Sequence, residues 1–140
     1  MTEKSCGAIV YTRERGNIEY VIIRSKEGIY GFPKGHTEDY ESEKETALRE
    51  VAEEVGLTVT LIPEFRLEDM HTFSRNGETI QKHIVYFLGE YSAQTPSVQE
   101  SELSDVSLMN YKTAMSSFQF ESSRRLLAEA NNFLIKLQTR

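Results

Sequence analysis

GHTEDYESEKETALREVAEEVGL, residues 35–57, holds eight of the 22 acidic residues of the chain within one short segment. Ser42 followed by Glu45 has the spacing of a capping box, and Gly56 is a typical residue at a helix end. Between these two points, apolar residues recur at helical intervals, namely Ala47, Leu48, Val51, Ala52 and Val55. The pattern predicts a helix from about Ser42 to Val55 whose apolar residues face the core.

Three glutamates lie near the end of this helix. Glu53 and Glu54 follow Glu50 by three and four residues, so their side chains are expected to share one face. Like charges at these spacings destabilise an isolated helix by about 0.2–0.5 kcal/mol per pair. A bound cation would compensate, and Mg²⁺ suits because it takes oxygen ligands and bridges carboxylates to substrate phosphates. The alternative is a solvated surface helix laced with salt bridges.

The composition excludes several other classes of function. With 140 residues, 39% of them hydrophobic, the chain is expected to fold as one domain, residues 1–140. No apolar run approaches the roughly 20 residues of a membrane span, and the first residues lack the features of a secretory signal, which predicts a cytoplasmic protein. A net charge of -6 argues against binding of duplex nucleic acid. With Cys6 as the only cysteine, neither an internal disulfide nor a Cys-rich zinc site is possible.

Strand-like segments flank the acidic helix. A hairpin is expected from residues 6–12 and 18–25, two further strand regions from residues 58–73 and 79–92 around a turn at 74–77, and a last short strand at 106–110. The Gly- and Pro-containing segment 28–36 predicts a loop, and residues 120–138 predict a second helix. This order indicates an α/β (α+β) protein with a mixed β-sheet sandwiched between helices.

The acidic segment also has a fixed spacing. Gly35, five residues, Glu41, seven residues and then REVAEEVGL at 49–57 match G-x5-E-x7-R-E-U-x-E-E-x-G-U at every specified position, where U is aliphatic. The chain therefore resembles the Nudix hydrolases, which carry this signature. The resemblance implies an enzyme that cleaves a nucleoside diphosphate linked to another moiety X by attack of water on phosphorus, with help from a divalent metal. It also implies a mixed sheet between helices.

The resemblance assigns a metal site to the signature. Glu50, Glu53 and Glu54 would bind Mg²⁺ or Mn²⁺, with the carbonyl of Gly35 as an additional ligand. The metal would neutralise charge on the phosphate and lower the pKa of water.

Two further roles follow from the same resemblance. Glu41 and Arg49 would pair and orient the helix. One carboxylate would act as the general base, for which Glu54 ranks first and Glu102 second.

Four segments outside the signature, SCGAIVY, FPKGHTE, HIVYFLGE and FESSRRLLAEANNFL, resemble asymmetrical diadenosine tetraphosphate hydrolases. By that comparison Lys34 would contact a substrate phosphate, Tyr86 phosphate or ribose, Glu102 a metal ion, and Phe120 a base. His36, which follows the signature glycine, would contact phosphate or metal-bound water, or else order its loop through a hydrogen bond. The structural alternatives are a solvated loop lysine for Lys34, a core aromatic for Tyr86 and a helix-packing residue for Phe120.

The chain departs from that subfamily at three places. Tyr40 stands where relatives usually have a loop glycine, and Tyr30 where many have tryptophan. A downstream tyrosine has no clear counterpart, and His71 or Phe73 would take its place. His83, on a predicted strand, is expected to be structural.

These observations leave several functions open. The leading hypothesis is hydrolysis of diadenosine tetraphosphate (Ap4A) to ATP and AMP. The alternatives are a MutT-like nucleoside triphosphate pyrophosphatase, an RNA 5′-triphosphate pyrophosphohydrolase, and a nucleotide-sensing domain without catalysis. The last of these usually lacks signature glutamates, all of which are present here. The expected partner is a small nucleotide rather than a membrane, and the protein is expected to be a monomer or a homodimer.

Overall fold

Eight strands and three helices are present within residues 1–138, the part of the chain that the computed structural model describes. The strands are β1 (Thr2–Thr12), β2 (Glu19–Ser25), β3 (Tyr30–Gly31), β4 (Lys34–His36), β5 (Thr60–Leu61), β6 (Leu67–Arg75), β7 (Glu78–Glu90) and β8 (Leu103–Met109). The helices are α1 (Glu43–Val55), α2 (Tyr111–Ser117) and α3 (Glu121–Gln138).

Helix α1 begins and ends where its sequence predicts. The Ser42 hydroxyl accepts a 3.1 Å hydrogen bond from the backbone N–H of Glu45, and the Glu45 carboxylate accepts one of 2.8 Å from that of Ser42. Gly56 closes the helix with φ of 69°, a left-handed conformation that glycine adopts without steric cost. The predicted helix boundaries are therefore confirmed.

The apolar face of α1 differs in part from the prediction. Thr46, Ala47, Val51, Glu54 and Val55 are buried, whereas Leu48 and Ala52 are exposed. The expectation that Leu48 and Ala52 face the core is wrong, because the buried stripe follows residues 47, 51, 54 and 55 along the helix. The stripe includes Glu54, so one signature carboxylate is carried inward.

The sheet is mixed, with β1 at its centre. β1 runs parallel to β7 from Thr2 opposite Gln81 to Tyr11 opposite Glu90. β1 and β2 pair antiparallel only at Tyr11 and Thr12, beside their connecting turn. The predicted hairpin of residues 6–12 and 18–25 is therefore confirmed at its turn end alone. Local sequence did not reveal the parallel pairing, since the two strands are far apart in the chain.

The second predicted hairpin is present as β6 and β7. Asn76 and Gly77 form its two-residue turn with φ of 52° and 80°, both in the left-handed region that such turns require. The expectation of one strand region over residues 58–73 is wrong, because the chain turns between β5 and β6, where Glu64 has φ of 69°.

The segment 28–36 is not wholly a loop as predicted, because it contains β3 and β4. β4 pairs with β1 through Gly7 opposite Lys34, where a Cβ on Gly7 would lie 2.0 Å from the carbonyl oxygen of Pro33. The missing side chain of Gly7 therefore lets this short strand lie against β1. The backbone pairing that defines β4 comes from a distant strand, which local Gly and Pro content does not show.

Helix α2 was not predicted. Asn110 caps it by accepting a 2.8 Å hydrogen bond from the backbone N–H of Thr113. The helix has seven residues, and only Ala114 is buried, so its sequence carries little amphipathic pattern.

The core lies on both faces of the sheet. Alternate residues of β1 point to opposite sides, with Ile9 and Tyr11 in the cluster that contains α3 and with Ala8 and Val10 in the cluster that contains α1. From the helices, these clusters take Leu126, Leu127, Ala130 and Leu134 of α3 and Val51 and Val55 of α1. The predicted mixed sheet between helices is confirmed. Within residues 1–138, no helix has both the length and the apolar character needed to cross a membrane.

Candidate active site

A cavity of about 470 Å³ lies between the sheet, the end of α1 and the start of α3. This volume falls in the range of small-molecule sites, roughly 300–1,000 Å³. Five predicted site residues line it: Lys34, Glu54, Tyr86, Glu102 and Phe120. The other five do not line it: Gly35, His36, Arg49, Glu50 and Glu53. The cavity therefore brings together one signature carboxylate and the predicted residues from outside the signature.

Glu54 is a buried carboxylate at the wall of this cavity, with 5% of its surface exposed. Its Oε1 accepts a 2.7 Å hydrogen bond from the backbone N–H of Lys34. Burial raises the pKa of Glu54 to about 7, an effect opposed by this hydrogen bond and reinforced by the charges of Glu50 and Glu102. The carboxylate can therefore take up a proton near neutral pH.

Glu50 packs directly against the backbone of Gly35. A Cβ added to Gly35 would lie 2.1 Å from the carboxyl carbon of Glu50, closer than nonbonded atoms can approach. Burial raises the pKa of Glu50, although the neighbouring Arg49 guanidinium lowers it. The signature glycine is therefore required here because the carboxyl group occupies the place of a side chain.

Arg49 connects the strand before α1 with three signature glutamates. Its Nε donates to Glu41 at 2.7 Å, and one terminal nitrogen donates to Glu50 at 2.8 Å and to Glu53 at 3.2 Å. The other terminal nitrogen donates to the carbonyl oxygen of His36 at 3.0 Å. The expected pair of Glu41 and Arg49 is thus present, and it holds the pKa of Glu41 at about 2. Arg49 thus holds these carboxylates and the His36 carbonyl together from outside the cavity.

The carboxylates near the cavity are oxygen donors of the kind that a divalent cation takes. Within residues 1–138, no three or more His, Cys, Asp or Glu side chains are grouped so that they could hold a metal ion by themselves. Glu50 and Glu102 are nevertheless close enough to Glu54 for their charges to raise its pKa. Mg²⁺ usually binds through one or two carboxylates, with waters and substrate phosphates completing its shell. The oxygen donors fit a hard cation of this kind.

Two lysines bring positive charge to this acidic region. Burial lowers the pKa of the Lys34 ammonium, and the nearby charge of Lys82 lowers it further. Lys82 also lines the cavity, although the sequence reasoning missed it. It precedes Tyr86 by four residues on β7, so the alternation of a strand places both on one face, and this signal was available in the sequence. Two ammonium groups side by side suit the oxygens of a polyphosphate.

Tyr86 belongs to both the core and the cavity wall. Its ring makes an edge contact with Phe32, with centroids 5.6 Å apart, and burial raises its pKa. The hydroxyl is therefore neutral and available as a hydrogen-bond donor near neutral pH. Phe120, by contrast, is 52% exposed at the rim, immediately before α3.

Of the three histidines considered from the sequence, His36 and His83 do not line the cavity. His36 is exposed and contributes its backbone carbonyl to Arg49. His83 pairs with Met70 across β6 and β7, one residue out of step with the cavity-lining Lys82. His71 and Asp69 of β6 do line it, and Asp69 was also missed by the sequence reasoning.

The loop before α1 keeps a left-handed residue where a glycine was expected. Tyr40 has φ of 71° and a fully exposed side chain, and it does not line the cavity. The substitution therefore leaves the turn in a conformation that glycine favours.

A family model and several known proteins match nearly the whole chain. The family model of the NUDIX domain matches residues 1–130. The chain is 28% identical to the asymmetrical bis(5′-nucleosyl)-tetraphosphatase of Mus musculus over 96% of this chain and 97% of that protein. It is 29% identical to the protein of the same name from Sus scrofa, over 98% and 99% of the two chains.

Solved structures show the same fold. A binary complex of the C. elegans Ap4A hydrolase superposes with a TM-score of 0.82 over 96% of this chain and 98% of that one, at 21% identity. Because the family model covers most of the chain and the sequence carries the complete signature, the chain belongs to the Nudix hydrolase family.

Proposed function

We propose that this protein is a divalent-metal-dependent hydrolase that cleaves the dinucleoside polyphosphate Ap4A to ATP and AMP. The observation that carries the proposal is the meeting of Glu54, Lys34 and Lys82 in one cavity. Similarity to the mouse and pig tetraphosphatases over nearly the whole chain supports this choice of substrate.

The metal in this proposal is Mg²⁺, with Mn²⁺ as the alternative. Glu50, Glu53 and Glu54 would hold it, with Glu102 and the carbonyl of Gly35 as further ligands. When bound, a divalent cation neutralises charge on phosphate oxygens and makes water more acidic. Arg49 would keep Glu50 and Glu53 oriented through the hydrogen bonds described above.

Glu54 is the proposed general base. The attacking water would transfer a proton to its carboxylate while the water oxygen bonds to the phosphorus of the AMP portion. The bond from that phosphorus to the bridging oxygen would break, and ATP would leave with this oxygen. Burial raises the pKa of Glu54 to about 7 in the metal-free protein, and a bound cation would favour the ionised carboxylate that a base requires. Glu102 is the second candidate for the base, since it lines the same cavity from the loop before β8.

Lys34, Lys82 and Tyr86 would bind the phosphates. The two ammonium groups would offset the negative charge of the polyphosphate, and the neutral Tyr86 hydroxyl would donate a hydrogen bond. His36, which is exposed outside the cavity, would order its loop through its backbone rather than contact the substrate.

One adenine base of Ap4A would stack on Phe120. Gln119 fixes the walls around it, because its side chain accepts a 3.1 Å hydrogen bond from the backbone N–H of Tyr30 and donates one of 2.9 Å to the carbonyl oxygen of Gly28. Gln119, the residue before Phe120, thereby links the segments that carry Tyr30 and Phe120, which both line the cavity. This arrangement suits a planar base.

The test is product analysis with Mg²⁺ on Ap4A, ATP, ADP-ribose and 5′-triphosphate RNA. We expect the protein to convert Ap4A to ATP and AMP faster than it hydrolyses the other substrates. The Glu54→Gln substitution should lower the rate with Ap4A at least roughly 100-fold. Glu129→Gln, an exposed glutamate on α3, is the matched control and should retain full activity. Faster turnover of another substrate would reject the choice of Ap4A, and no turnover of any substrate would favour a nucleotide sensor.

A further inference from the structure

A second pocket lies at the carboxyl ends of β1 and β7, separate from the cavity that contains Glu54. Its volume is about 170 Å³, and its walls include Glu14, Arg15, Glu19, Tyr91, Pro96 and Leu108. Within residues 1–138, the two pockets share no lining residue. At roughly 30 Å³ for each water-sized group, the space limits an occupant to a small molecule.

The Tyr91 hydroxyl is an unpaired polar group of this second pocket. The ring packs with Val10 and Val21 in the apolar cluster beside α1, and only 4% of the residue is exposed. Among residues 1–138, the hydroxyl nevertheless makes no hydrogen bond. A buried tyrosine hydroxyl usually has a partner, so this one leaves a position for a polar group of a ligand.

Two carboxylates lie near that hydroxyl. Burial raises the pKa of Tyr91, and the charges of Glu14 and Glu19 raise it further. One oxygen of Glu14 accepts a hydrogen bond from the backbone N–H of Ala93, and among residues 1–138 the other oxygen accepts none. Carboxylate oxygens only accept hydrogen bonds, so the free oxygen calls for a donor.

The charges that line the pocket do not cancel. The guanidinium of Arg15 donates a 2.9 Å hydrogen bond to Glu19 and lowers the pKa of that carboxyl group. Two carboxylates and one guanidinium therefore leave one uncompensated negative charge, that of Glu14. This balance suits a ligand with a single positive charge.

An apolar wall completes the pocket. Leu108 of β8 is 36% exposed, and it lines the pocket together with Pro96. Hydrocarbon that covers such surface removes it from water, which is favourable. Within the described residues, no three metal-ligating side chains are grouped. An organic cation therefore fits the pocket better than a metal ion does.

We propose that this second pocket binds a small organic ammonium ion. An ammonium group carries three donors, which Glu14, Glu19 and the Tyr91 hydroxyl accept. Its hydrocarbon chain lies against Leu108 and Pro96. The proposal is independent of the proposed function, because it uses no residue that is assigned to hydrolysis.

The test is an NMR titration of ¹⁵N-labelled protein with n-butylammonium chloride. We expect the amide signals of Tyr91, Ala93 and Thr95 to shift saturably, with a dissociation constant on the order of millimolar for so small a ligand. At constant ionic strength, n-butanol and sodium butyrate should bind at least about tenfold more weakly, since their head groups are neutral and negative. Equal binding of all three probes, or no binding of n-butylammonium, would overturn the proposal.

Two variants test the assigned contacts. Tyr91→Phe keeps the ring in the core and removes the hydroxyl, so it should weaken n-butylammonium binding about threefold to tenfold, as the loss of one hydrogen bond does. Glu14→Gln keeps an acceptor for the Ala93 N–H but removes the charge, so it should weaken binding at least about tenfold. Unchanged affinity in either variant would overturn the proposal.

Glu129→Gln is the matched control, because Glu129 is an exposed glutamate of α3 that lines neither pocket. It should bind n-butylammonium as the wild type does. A loss as large as that of Glu14→Gln would mean that the probe responds to net charge alone, which would reject the site. Ligand-free spectra check the fold of each variant, and Tyr91→Phe, which removes a single oxygen, decides the outcome if Glu14→Gln does not fold.

Discussion

The backbone N–H of Lys34 donates a 2.7 Å hydrogen bond to the carboxylate of Glu54, which joins β4 to the last turn of α1. The bond therefore keeps the Glu54 carboxylate and the Lys34 ammonium beside the same cavity. It also satisfies a carboxylate oxygen that would otherwise be buried without a donor.

Glu54→Gln should raise the stability of the metal-free protein while lowering catalysis. The folded pKa of about 7 lies above the ordinary value of 4.5, so the folded state binds this proton more tightly than the unfolded state does. Stability from this group is therefore greatest below pH 4.5 and is lost as pH rises through about 7. Glutamine keeps an acceptor for Lys34 and carries no charge. Thermal melting at pH 8 should show a gain on the order of 2 kcal/mol, which vanishes near pH 4.5. A variant less stable than wild type at pH 8 would contradict the assigned cost of burial.

Gly35→Ala should weaken metal binding without unfolding the protein. The added methyl group would lie 2.1 Å from the Glu50 carboxyl carbon, so the glutamate must move away from β4. We expect the affinity for Mn²⁺, measured by calorimetry, to fall at least about tenfold, in the range found when groups that orient metal ligands are removed. A circular dichroism spectrum like that of wild type would show that the fold is retained. Unchanged affinity would mean that Glu50 does not hold the metal.

Tyr40→Gly should stabilise the protein without changing its activity. Tyr40 has φ of 71° and a fully exposed side chain, so the substitution relieves left-handed strain and removes no packing. A left-handed non-glycine residue costs roughly 1–2 kcal/mol, part of which is offset by the greater chain entropy of glycine when unfolded. Urea unfolding should therefore show a net gain of about 0.5–1 kcal/mol. A loss of stability would show that the tyrosine makes a favourable interaction on the surface.

Glu43→Gln should lower stability at neutral pH but not in acid. Arg66 first, and then Lys4, hold the pKa of Glu43 at about 2 through hydrogen bonds. A lowered carboxyl pKa gives stability that is present above 4.5 and is lost as pH falls towards 2. Because the pairs are partly solvated, we expect a loss of at most about 1 kcal/mol at pH 7.

Glu121→Gln is the matched control for this comparison. Glu121 pairs with Arg124 at 2.6 Å, but its side chain is 91% exposed, so the change should have little effect at any pH. If both variants lost the same free energy of unfolding at pH 7, the loss would reflect a general effect of charge rather than the ion pairs of Glu43.

The features that could be predicted from the sequence are local ones. The boundaries of α1 follow from Ser42, Glu45 and Gly56, which lie within the element or next to it. The turn at Asn76 and Gly77 likewise depends on two adjacent residues. The signature glutamates could be assigned to one helix for the same reason, although the inward position of Glu54 required the actual packing of that helix.

The features that escaped prediction depend on distant pairing or weak patterns. β4 can pair with β1 because Gly7 has no side chain that would collide with it. Helix α2 buries only one residue, so its sequence shows little amphipathic pattern. Lys82 had a recognisable signal in its spacing from Tyr86, but its relevance emerged only when β7 was placed beside β1. Asp69 had no comparable signal, because a carboxylate on a strand usually faces solvent.

The parallel pairing of β1 with β7 also determines the order in which the site can form. Helix α1 and the β6–β7 hairpin are closed by nearby residues, whereas Thr2 reaches Gln81 only after most of the chain has been brought together. Such long-range closure carries a large entropic cost and slows folding. We therefore expect the signature helix to form before the cavity does, so that the ability to bind nucleotide is gained late in folding, with the docking of the first strand.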